Sequence, residues 1–197
     1  MEITYNCLID SFINDQVGIA DHFLSDKLAA ALKQNLLSLL LQKQLFSAGT
    51  GNGNAAVNNQ LVRGDSIYWL DREHGTPCEN DFFDLMDGFV SYLNKTCYTG
   101  ITGYEFHYTL YEKGTFYKKH LDQFQNNDSR KYSMIMYLNA DWEAADGGEL
   151  RIHHVNHQQN INPENGRAVF FKSNELVHEV LCTQKQRMSI TGWLKVN

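Results

Sequence analysis

The sequence predicts a mainly β protein, an antiparallel sandwich or jelly roll flanked by N-terminal helices. Six short runs rich in β-branched and aromatic residues follow one another from Gly103 onward, separated by Gly, Asn and Asp. No helical segment interrupts these runs, which argues against a fold built from βαβ units. Upstream of them, apolar residues recur at helical spacing. The six runs are residues 103–111, 131–139, 148–153, 166–172, 176–182 and 187–196.

Two helices are predicted in the first half of the chain. Ser25 is a suitable N-cap for a helix that carries a stripe of leucines from Leu28 to Leu40. Residues 79–95 carry a broad apolar face and predict a second helix. Between them, residues 47–60 are rich in Gly and Asn and predict a mobile loop.

Length and composition indicate one globular domain in a reducing compartment. We expect the 197 residues to form a single domain, with helical support and a substrate loop in 1–100 and the jelly-roll core in 101–197. A net charge of −6 argues against a nucleic-acid partner. The four scattered cysteines lack a Cys-x-x-Cys pair, and no signal peptide or membrane span is visible, so we expect a cytoplasmic protein. The oligomeric state stays open.

Two histidines and an aspartate form a candidate metal site. His120 and Asp122 are two residues apart in the strand region, so on a strand their side chains face the same side. His178 lies in another predicted strand. Two histidines and one carboxylate are the ligand set of non-haem Fe(II) oxygenases. His-x-Asp alone also occurs by chance, at solvated strand ends.

Arg187 adds a candidate anion site. If the runs around it pair as a hairpin turning between Cys182 and Thr183, Arg187 stands directly opposite His178. Thr191 and Trp193 then share its face. An arginine in a jelly-roll interior needs an anion, which a dicarboxylate co-substrate would supply. A surface ion pair at a sheet edge is the alternative.

The order and spacing of these motifs resemble the Fe(II)/2-oxoglutarate dioxygenases of the prolyl 4-hydroxylase type. The similarity is greatest to the hypoxia-inducible-factor prolyl hydroxylase group and its bacterial relatives. It extends from about Val62 to the C-terminus. The motifs that carry it are His-Leu-Asp at 120–122, Tyr-Leu-Asn-Ala-Asp-Trp at 137–142, Gly-Gly-Glu-Leu at 147–150, Val-His-Glu-Val at 177–180, the Arg187-to-Trp193 segment and Arg-Gly-Asp-Ser-Ile-Tyr-Trp at 63–69.

The resemblance implies a double-stranded β-helix core and roles for ten residues. It implies His120, Asp122 and His178 as iron ligands and catalytic residues. For the remaining seven it implies 2-oxoglutarate binding by Arg187, Tyr137 and Thr191, and substrate binding by Asp65, Arg130, Tyr117 and Trp193. Asp65 and Arg130 are expected to pair with each other. One departure is Leu110, where the animal enzymes have a tyrosine ten residues before the first histidine; Tyr108 and Tyr111 are candidate substitutes.

The implied activity is hydroxylation of a prolyl C4 in a protein or peptide. Fe(II), 2-oxoglutarate and O₂ are the implied cofactor and co-substrates, with ascorbate as a reductant, and succinate and CO₂ as products. A translation-apparatus protein is the candidate target by family analogy. Hydroxylation of a small molecule or free amino acid is the alternative, and a non-enzymatic sensor or interaction module is the third hypothesis.

The other histidines receive no catalytic role from the sequence. His153, His154 and His157 are close in sequence, but adjacent strand residues face opposite sides, so a solvated turn is the simpler interpretation. We expect the single histidines His74 and His107 to be structural or exposed.

Overall fold

The computed structural model of the protein describes residues 1–49, 61–123 and 128–196. Three α-helices and eleven β-strands form the described part of the chain. The helices are α1 (Glu2–Asp15), α2 (Asp26–Leu41) and α3 (Pro77–Cys97), with short 3₁₀ turns at Arg72–His74 and Ala144–Asp146. The strands are β1 (Val17–Ala20), β2 (Phe46–Ser47), β3 (Asp65–Trp69), β4 (Gly103–Tyr111), β5 (Tyr117–His120), β6 (Arg130–Tyr137), β7 (Leu150–His153), β8 (Gln158–Ile161), β9 (Ala168–Lys172), β10 (Val177–Val180) and β11 (Arg187–Lys195).

The strands form two antiparallel sheets that face each other. The larger sheet has the order β1-β9-β6-β11-β4-β3-β2, and the smaller sheet has the order β5-β10-β7-β8. The predicted jelly-roll type of core is confirmed. The strands are not confined to residues 101–197, however, because β1, β2 and β3 extend both ends of the larger sheet.

Both predicted helices are confirmed, with small differences at their ends. Ser25 caps α2, and its hydroxyl accepts a hydrogen bond from the Leu28 backbone N–H. The second helix begins at Pro77, a residue suited to the first turn, and ends at Cys97. Strand β1, between α1 and α2, was not predicted from the sequence. Of the loop predicted at 47–60, residues 50–60 lie outside the described residues.

Two hydrophobic clusters hold these layers together. The larger cluster joins the three helices to the outer face of the seven-stranded sheet, through residues such as Phe82, Phe89 and Phe106. The smaller cluster lies between the two sheets and includes Ile135, Phe171 and Leu150. Alternate residues of β4, β6 and β11 therefore serve opposite faces, one packed under the helices and one directed into the sandwich. The inward face carries the site described below.

None of the helices in the described ranges combines the length and apolar character needed to cross a bilayer.

Candidate active site

Three side chains that can bind a metal converge between the sheets. His120 ends β5 and lies directly opposite His178 of β10, and Asp122 follows two residues after His120. One ligand atom from each of the three residues lies within 4.8 Å of the other two. The His120 and His178 Nε2 atoms are 3.4 Å and 3.6 Å from Asp122 Oδ1. The structure thus brings together the three residues that the sequence proposed as ligands.

Backbone carbonyls fix the orientation of both imidazole rings. His120 Nδ1 lies 2.7 Å from the Lys118 carbonyl oxygen, and His178 Nδ1 lies 3.0 Å from that of Leu176. A carbonyl oxygen only accepts, so each Nδ1 carries the hydrogen and each Nε2 keeps its lone pair for the site. Burial lowers the pKa of His178 to about 4, which keeps this ring neutral and ready to bind a metal.

Ser133 holds the carboxylate in place. Its hydroxyl donates a 2.6 Å hydrogen bond to Asp122 Oδ2 and is itself 3.0 Å from the Ser173 hydroxyl, which leaves Oδ1 directed at the two imidazoles. Burial alone would raise the pKa of Asp122. The attraction of His178 and His120 and the hydrogen bond from Ser133 outweigh it, so this pKa lies well below its usual range. Asp122 is therefore an anionic ligand.

This donor set fits a ferrous ion. Two neutral imidazoles and one carboxylate on one side of an ion form the facial triad typical of non-haem Fe(II) oxygenases. The other side faces a cavity of about 260 Å³. Each ligand also has the outer hydrogen-bond partner that metal ligands commonly require.

Arg187 lies in the same cavity, and its charge has no carboxylate partner among the residues that the structure describes. Arg187 is 1% exposed, and its Nε–H donates a 2.7 Å hydrogen bond to the Gly148 carbonyl oxygen. The guanidinium carbon lies 5.2 Å and 5.0 Å from the ring centroids of Tyr111 and Tyr137. Arg187 Nη2 and the Tyr137 hydroxyl are buried without a hydrogen-bond partner among the described residues. Orphaned donors around a buried cation indicate the seat of an anion.

Gly148 makes room for this arginine, and Gly147 beside it makes room for the Cys182 backbone. Gly147 and Gly148 both have φ near +65°. A Cβ at Gly148 would lie 3.0 Å from the Thr183 side chain and 3.2 Å from Arg187 Cδ, so a side chain here would displace the arginine. Gly148 of the Gly-Gly sequence motif therefore positions Arg187.

The predicted hairpin between His178 and Arg187 is wrong. β10 pairs with β5 and β7 in the smaller sheet, whereas β11 pairs with β4 and β6 in the larger one. The connection at residues 181–186 crosses between the sheets, held by backbone hydrogen bonds from Leu181 to Glu149 and from Thr183 to Thr115. His178 and Arg187 therefore face one cavity from opposite sheets, not across one ladder.

The structure also shows which tyrosine takes the place of the one that the animal enzymes have at the position of Leu110. Leu110 packs in the cluster beneath the helices, and Tyr108 lies there too, with its hydroxyl bonded to Asn35. Tyr111 lies directly opposite Arg187 on β11 and lines the cavity. Tyr111, one of the two substitutes considered, is thus the tyrosine beside the candidate anion site. Burial raises its pKa well above its usual value, so the phenol stays neutral.

The mouth of the cavity contains two arginines with a different pairing from the one predicted. Asp65 is paired with Arg63 through two hydrogen bonds of 2.6 Å and 2.7 Å, and Asp65 itself does not line the cavity. Arg130 pairs with Glu105 at 2.7 Å and lies 3.4 Å from the Trp193 ring centroid. The expected Asp65–Arg130 pair is therefore wrong, because Asp65 pairs with Arg63 just before β3, and Arg130 pairs with Glu105 of β4 across β11.

The remaining candidates lie along the cavity wall. Tyr117 stacks on His120 with centroids 3.6 Å apart. Thr191 and Trp193 continue the inward face of β11 beyond Arg187, as the sequence predicted. His107 also lines the cavity, a role that the sequence did not indicate.

His153, which ends β7 and so does not lie in the predicted solvated turn, and the histidines of the β7–β8 turn lie apart from this cavity. His153 pairs with Glu179 at 2.8 Å. The His154 and His157 rings stack on each other, 4.3 Å between centroids. Among the described residues, His120, Asp122 and His178 form the one group of three potential ligands.

Comparison with known proteins finds one family. Residues 106–195 match the model of the 2OG-Fe(II) oxygenase superfamily. The chain is 27% identical to human Egl nine homolog 1, over 95% of this chain and 43% of that protein. It is also 27% identical to mouse Prolyl hydroxylase EGLN3, over 88% of this chain and 75% of that protein. The chain thus spans less than half the length of the human relative.

Two solved structures resemble the whole chain. A prolyl-4-hydroxylase of Pseudomonas putida is 30% identical, with a TM-score of 0.87 over 98% of this chain and 99% of that one. A prolyl hydroxylase of Trichoplax adhaerens, in complex with a peptide fragment of a hypoxia-inducible-factor oxygen degradation domain, is 26% identical, with a TM-score of 0.85 over 98% of this chain and 90% of that one.

Proposed function

Since the chain belongs to the 2OG-Fe(II) oxygenase superfamily, we propose that it hydroxylates C4 of a prolyl residue in a protein substrate. The observation that carries the proposal is one cavity that holds both the three ligand side chains and a buried guanidinium with no anionic partner in the described part of the chain. The prolyl hydroxylases among its relatives support the choice of proline.

The ligand residues prepare a site for the metal. His120, Asp122 and His178 would hold Fe(II) through two Nε2 atoms and Oδ1. When bound, Fe(II) and 2-oxoglutarate supply the oxidising chemistry, in which one O₂ yields succinate, CO₂ and the hydroxylated product. Since backbone carbonyls and Ser133 fix all three ligands in advance, little reorganisation accompanies metal binding.

Arg187 and the two tyrosines would bind 2-oxoglutarate. The guanidinium Nη2 and the Tyr137 hydroxyl are donors for its distal carboxylate, and the wall beside them is formed by Tyr111, Ile135 and Leu150. Thr191 lies nearer the mouth, opposite His107 on β4 and Ile135 on β6, and is proposed to contact the co-substrate from there.

The substrate would enter past Arg63, Tyr117, Arg130 and Trp193. Asp65 is proposed to act through Arg63, which it holds over the Tyr117 ring at 4.4 Å. Tyr117 in turn covers one face of His120 and shields the ligand from water. Exclusion of water from the metal would prevent side reactions that consume the oxidant before it reaches the substrate.

The proposed setting is a reducing cytoplasm, supported by four cysteines that are all free thiols. A protein of the translation apparatus is the first target that we propose to search.

Mass spectrometry tests the proposal. Extracts with and without the active protein are compared for prolines that gain one oxygen atom, and purified protein is tested for succinate release with proline peptides and with free amino acids. Hydroxylated peptidyl proline with matching succinate is the expected result. Release stimulated only by free amino acids would favour a small-molecule hydroxylase. No iron-dependent succinate release would favour a non-enzymatic module.

A further inference from the structure

His107 is a buried imidazole in the wall of the active-site cavity. Residues 107, 109 and 111 of β4 face the cavity, while the residues between them pack under the helices. His107 is 2% exposed. Its ring lies between two tryptophans, 5.0 Å from the Trp69 centroid and 5.6 Å from the Trp193 centroid. A polar ring in such a position needs a defined hydrogen-bond role.

The hydrogen bonds of His107 define which nitrogen carries the hydrogen. Nδ1 lies 3.0 Å from the Tyr108 carbonyl oxygen and 3.0 Å from the Thr109 hydroxyl. The carbonyl oxygen only accepts, so Nδ1 is the N–H. Burial lowers the pKa of His107 to about 4, so the ring is neutral at physiological pH. Nε2, at the far tip of the ring, is therefore a hydrogen-bond acceptor.

Trp193 adds a donor beside this acceptor. Its indole Nε1 is buried and has no hydrogen-bond partner among the residues that the structure describes. An indole N–H only donates. One acceptor and one unsatisfied donor therefore lie on adjacent rings of the cavity wall. The N–H and C=O of one residue point to the same side of an extended chain, and match this pair.

The charges at the mouth favour an uncharged ligand group there. Arg63 is ion-paired with Asp65, and Arg130 with Glu105. The carboxylate of a free amino acid would have to compete with Asp65 or Glu105 for a guanidinium. A backbone amide needs no such exchange.

We propose that His107 and Trp193 form a subsite for the backbone of a residue next to the target proline, in which His107 Nε2 accepts that residue's N–H and Trp193 Nε1 donates to its carbonyl oxygen. This subsite rests on the proposed function. It makes His107 a specificity-determining residue that selects a proline within a chain over a free amino acid.

Two substitutions of His107 separate this role from a structural one. In His107→Asn the amide retains a polar atom near the Nδ1 position, bonded to Tyr108 and Thr109, but nothing reaches the Nε2 position. In His107→Gln the longer amide places its oxygen near that of Nε2. We expect kcat/KM for peptide to fall about tenfold in His107→Asn, the value of one hydrogen bond, and to recover at least in part in His107→Gln.

The probe is a blocked peptide with acetyl and amide termini, chosen as the best wild-type substrate from a library with a fixed central proline. Two ester analogues replace, one at a time, the nearest amide N–H on either side of the proline. One analogue should lose about tenfold in kcat/KM with the wild type and nothing further with His107→Asn. KM for 2-oxoglutarate should be the same in the wild type and in both His107 variants.

The outcomes distinguish this inference from the proposed function. If the wild type hydroxylates the peptide but His107→Asn does so equally well, or if neither ester loses rate, the subsite is wrong and the function stands. If His107→Asn also loses 2-oxoglutarate affinity, the residue is structural and the subsite is wrong. If the wild type hydroxylates no proline peptide, both proposals fall.

Discussion

The deep end of the cavity contains one fully buried arginine and the mouth contains two partly buried arginines, in different environments. Arg187 at the deep end is 1% exposed, and the side chains of Arg63 and Arg130 at the mouth are 15% and 14% exposed. Burial therefore does not separate them strongly. The arginines differ in their partners. Arg63 and Arg130 each contact a carboxylate. Arg187 contacts a backbone carbonyl, and its Nη2 has no hydrogen-bond partner among the described residues.

This difference assigns the charged ligand to the deep end. A buried guanidinium without a counter-ion is costly, so a site that keeps one is built for an anion that arrives later. Paired arginines form a neutral wall that packs on rings, as Arg63 does on Tyr117 and Arg130 on Trp193. The cavity is thus prepared for a dicarboxylate inside and for an uncharged group at its entrance.

The largest expected effect is from removal of a metal ligand at the deep end. His178→Ala should abolish both succinate release and proline hydroxylation, because one of three Fe(II) ligands is lost. Iron content and turnover would be measured together. His157→Ala, which removes an exposed imidazole in the β7–β8 turn, is the matched control and should keep full activity. Full turnover in His178→Ala would refute the ligand assignment.

Substitution of the unpaired arginine should have the next largest effect. Arg187→Met keeps most of the side-chain volume and removes the charge, so KM for 2-oxoglutarate should rise about 100-fold, as for the loss of charged hydrogen bonds. Steady-state kinetics with varied 2-oxoglutarate measures this. Arg130→Met is the contrast at the mouth and should leave this KM within about twofold, since its charge is already paired. Equal effects of both substitutions would remove the distinction between the two ends.

The mouth can be converted to resemble the deep end. Asp65→Asn leaves Arg63 without its carboxylate, and we expect the free energy of unfolding to fall by about 2 kcal/mol. Denaturant titration measures it. In the double variant Arg63→Met/Asp65→Asn the unpaired charge is gone, so part of that loss should return. A double variant less stable than the sum of both single variants would contradict the pairing described here.

The smallest of these effects is expected at the support of the metal ligand. Ser133→Ala removes the donor to Asp122 Oδ2 and should weaken Fe(II) binding about tenfold, the low end for such outer contacts. Activity measured against Fe(II) concentration reports it. Ser173→Ala acts one hydrogen bond further away and should cost less. A larger effect at Ser173 than at Ser133 would show that the pair supports the sheet and not the ligand.

Much of the fold and the metal site could be predicted from local sequence. Alternation of apolar residues marks the strands that carry His178 and Arg187, and Ser25 marks the start of α2, because these signals depend only on neighbours in the chain. Ligand identity follows from residue chemistry and motif order. His120 and Asp122 were assigned to one strand, yet β5 ends at His120 and Asp122 is oriented by Ser133 of β6.

Pairings that depend on the tertiary fold could not be predicted in this way. Residues 181–186 cross from one sheet to the other, but in the sequence they look like the turn of a hairpin. A hairpin turn and this crossover are each a short polar connection between two strands. The tyrosine expected at position 110 is found at 111. A difference of one residue matters because successive side chains of a strand point to opposite faces of the sheet. His107 lacked any local signal, because its position in the cavity depends on the sheet register that places Thr191 and Trp69 opposite it.

A binding titration of 2-oxoglutarate tests most directly whether the Arg187 guanidinium binds the co-substrate. It is carried out under anaerobic conditions with Fe(II) present, for the wild type, Arg187→Met and Arg130→Met. One molecule bound per chain is expected, with affinity lost about 100-fold in Arg187→Met and unchanged in Arg130→Met. Unchanged affinity in Arg187→Met would show that the buried guanidinium does not bind the co-substrate, and would contradict the assignment of the dicarboxylate to the deep end of the cavity.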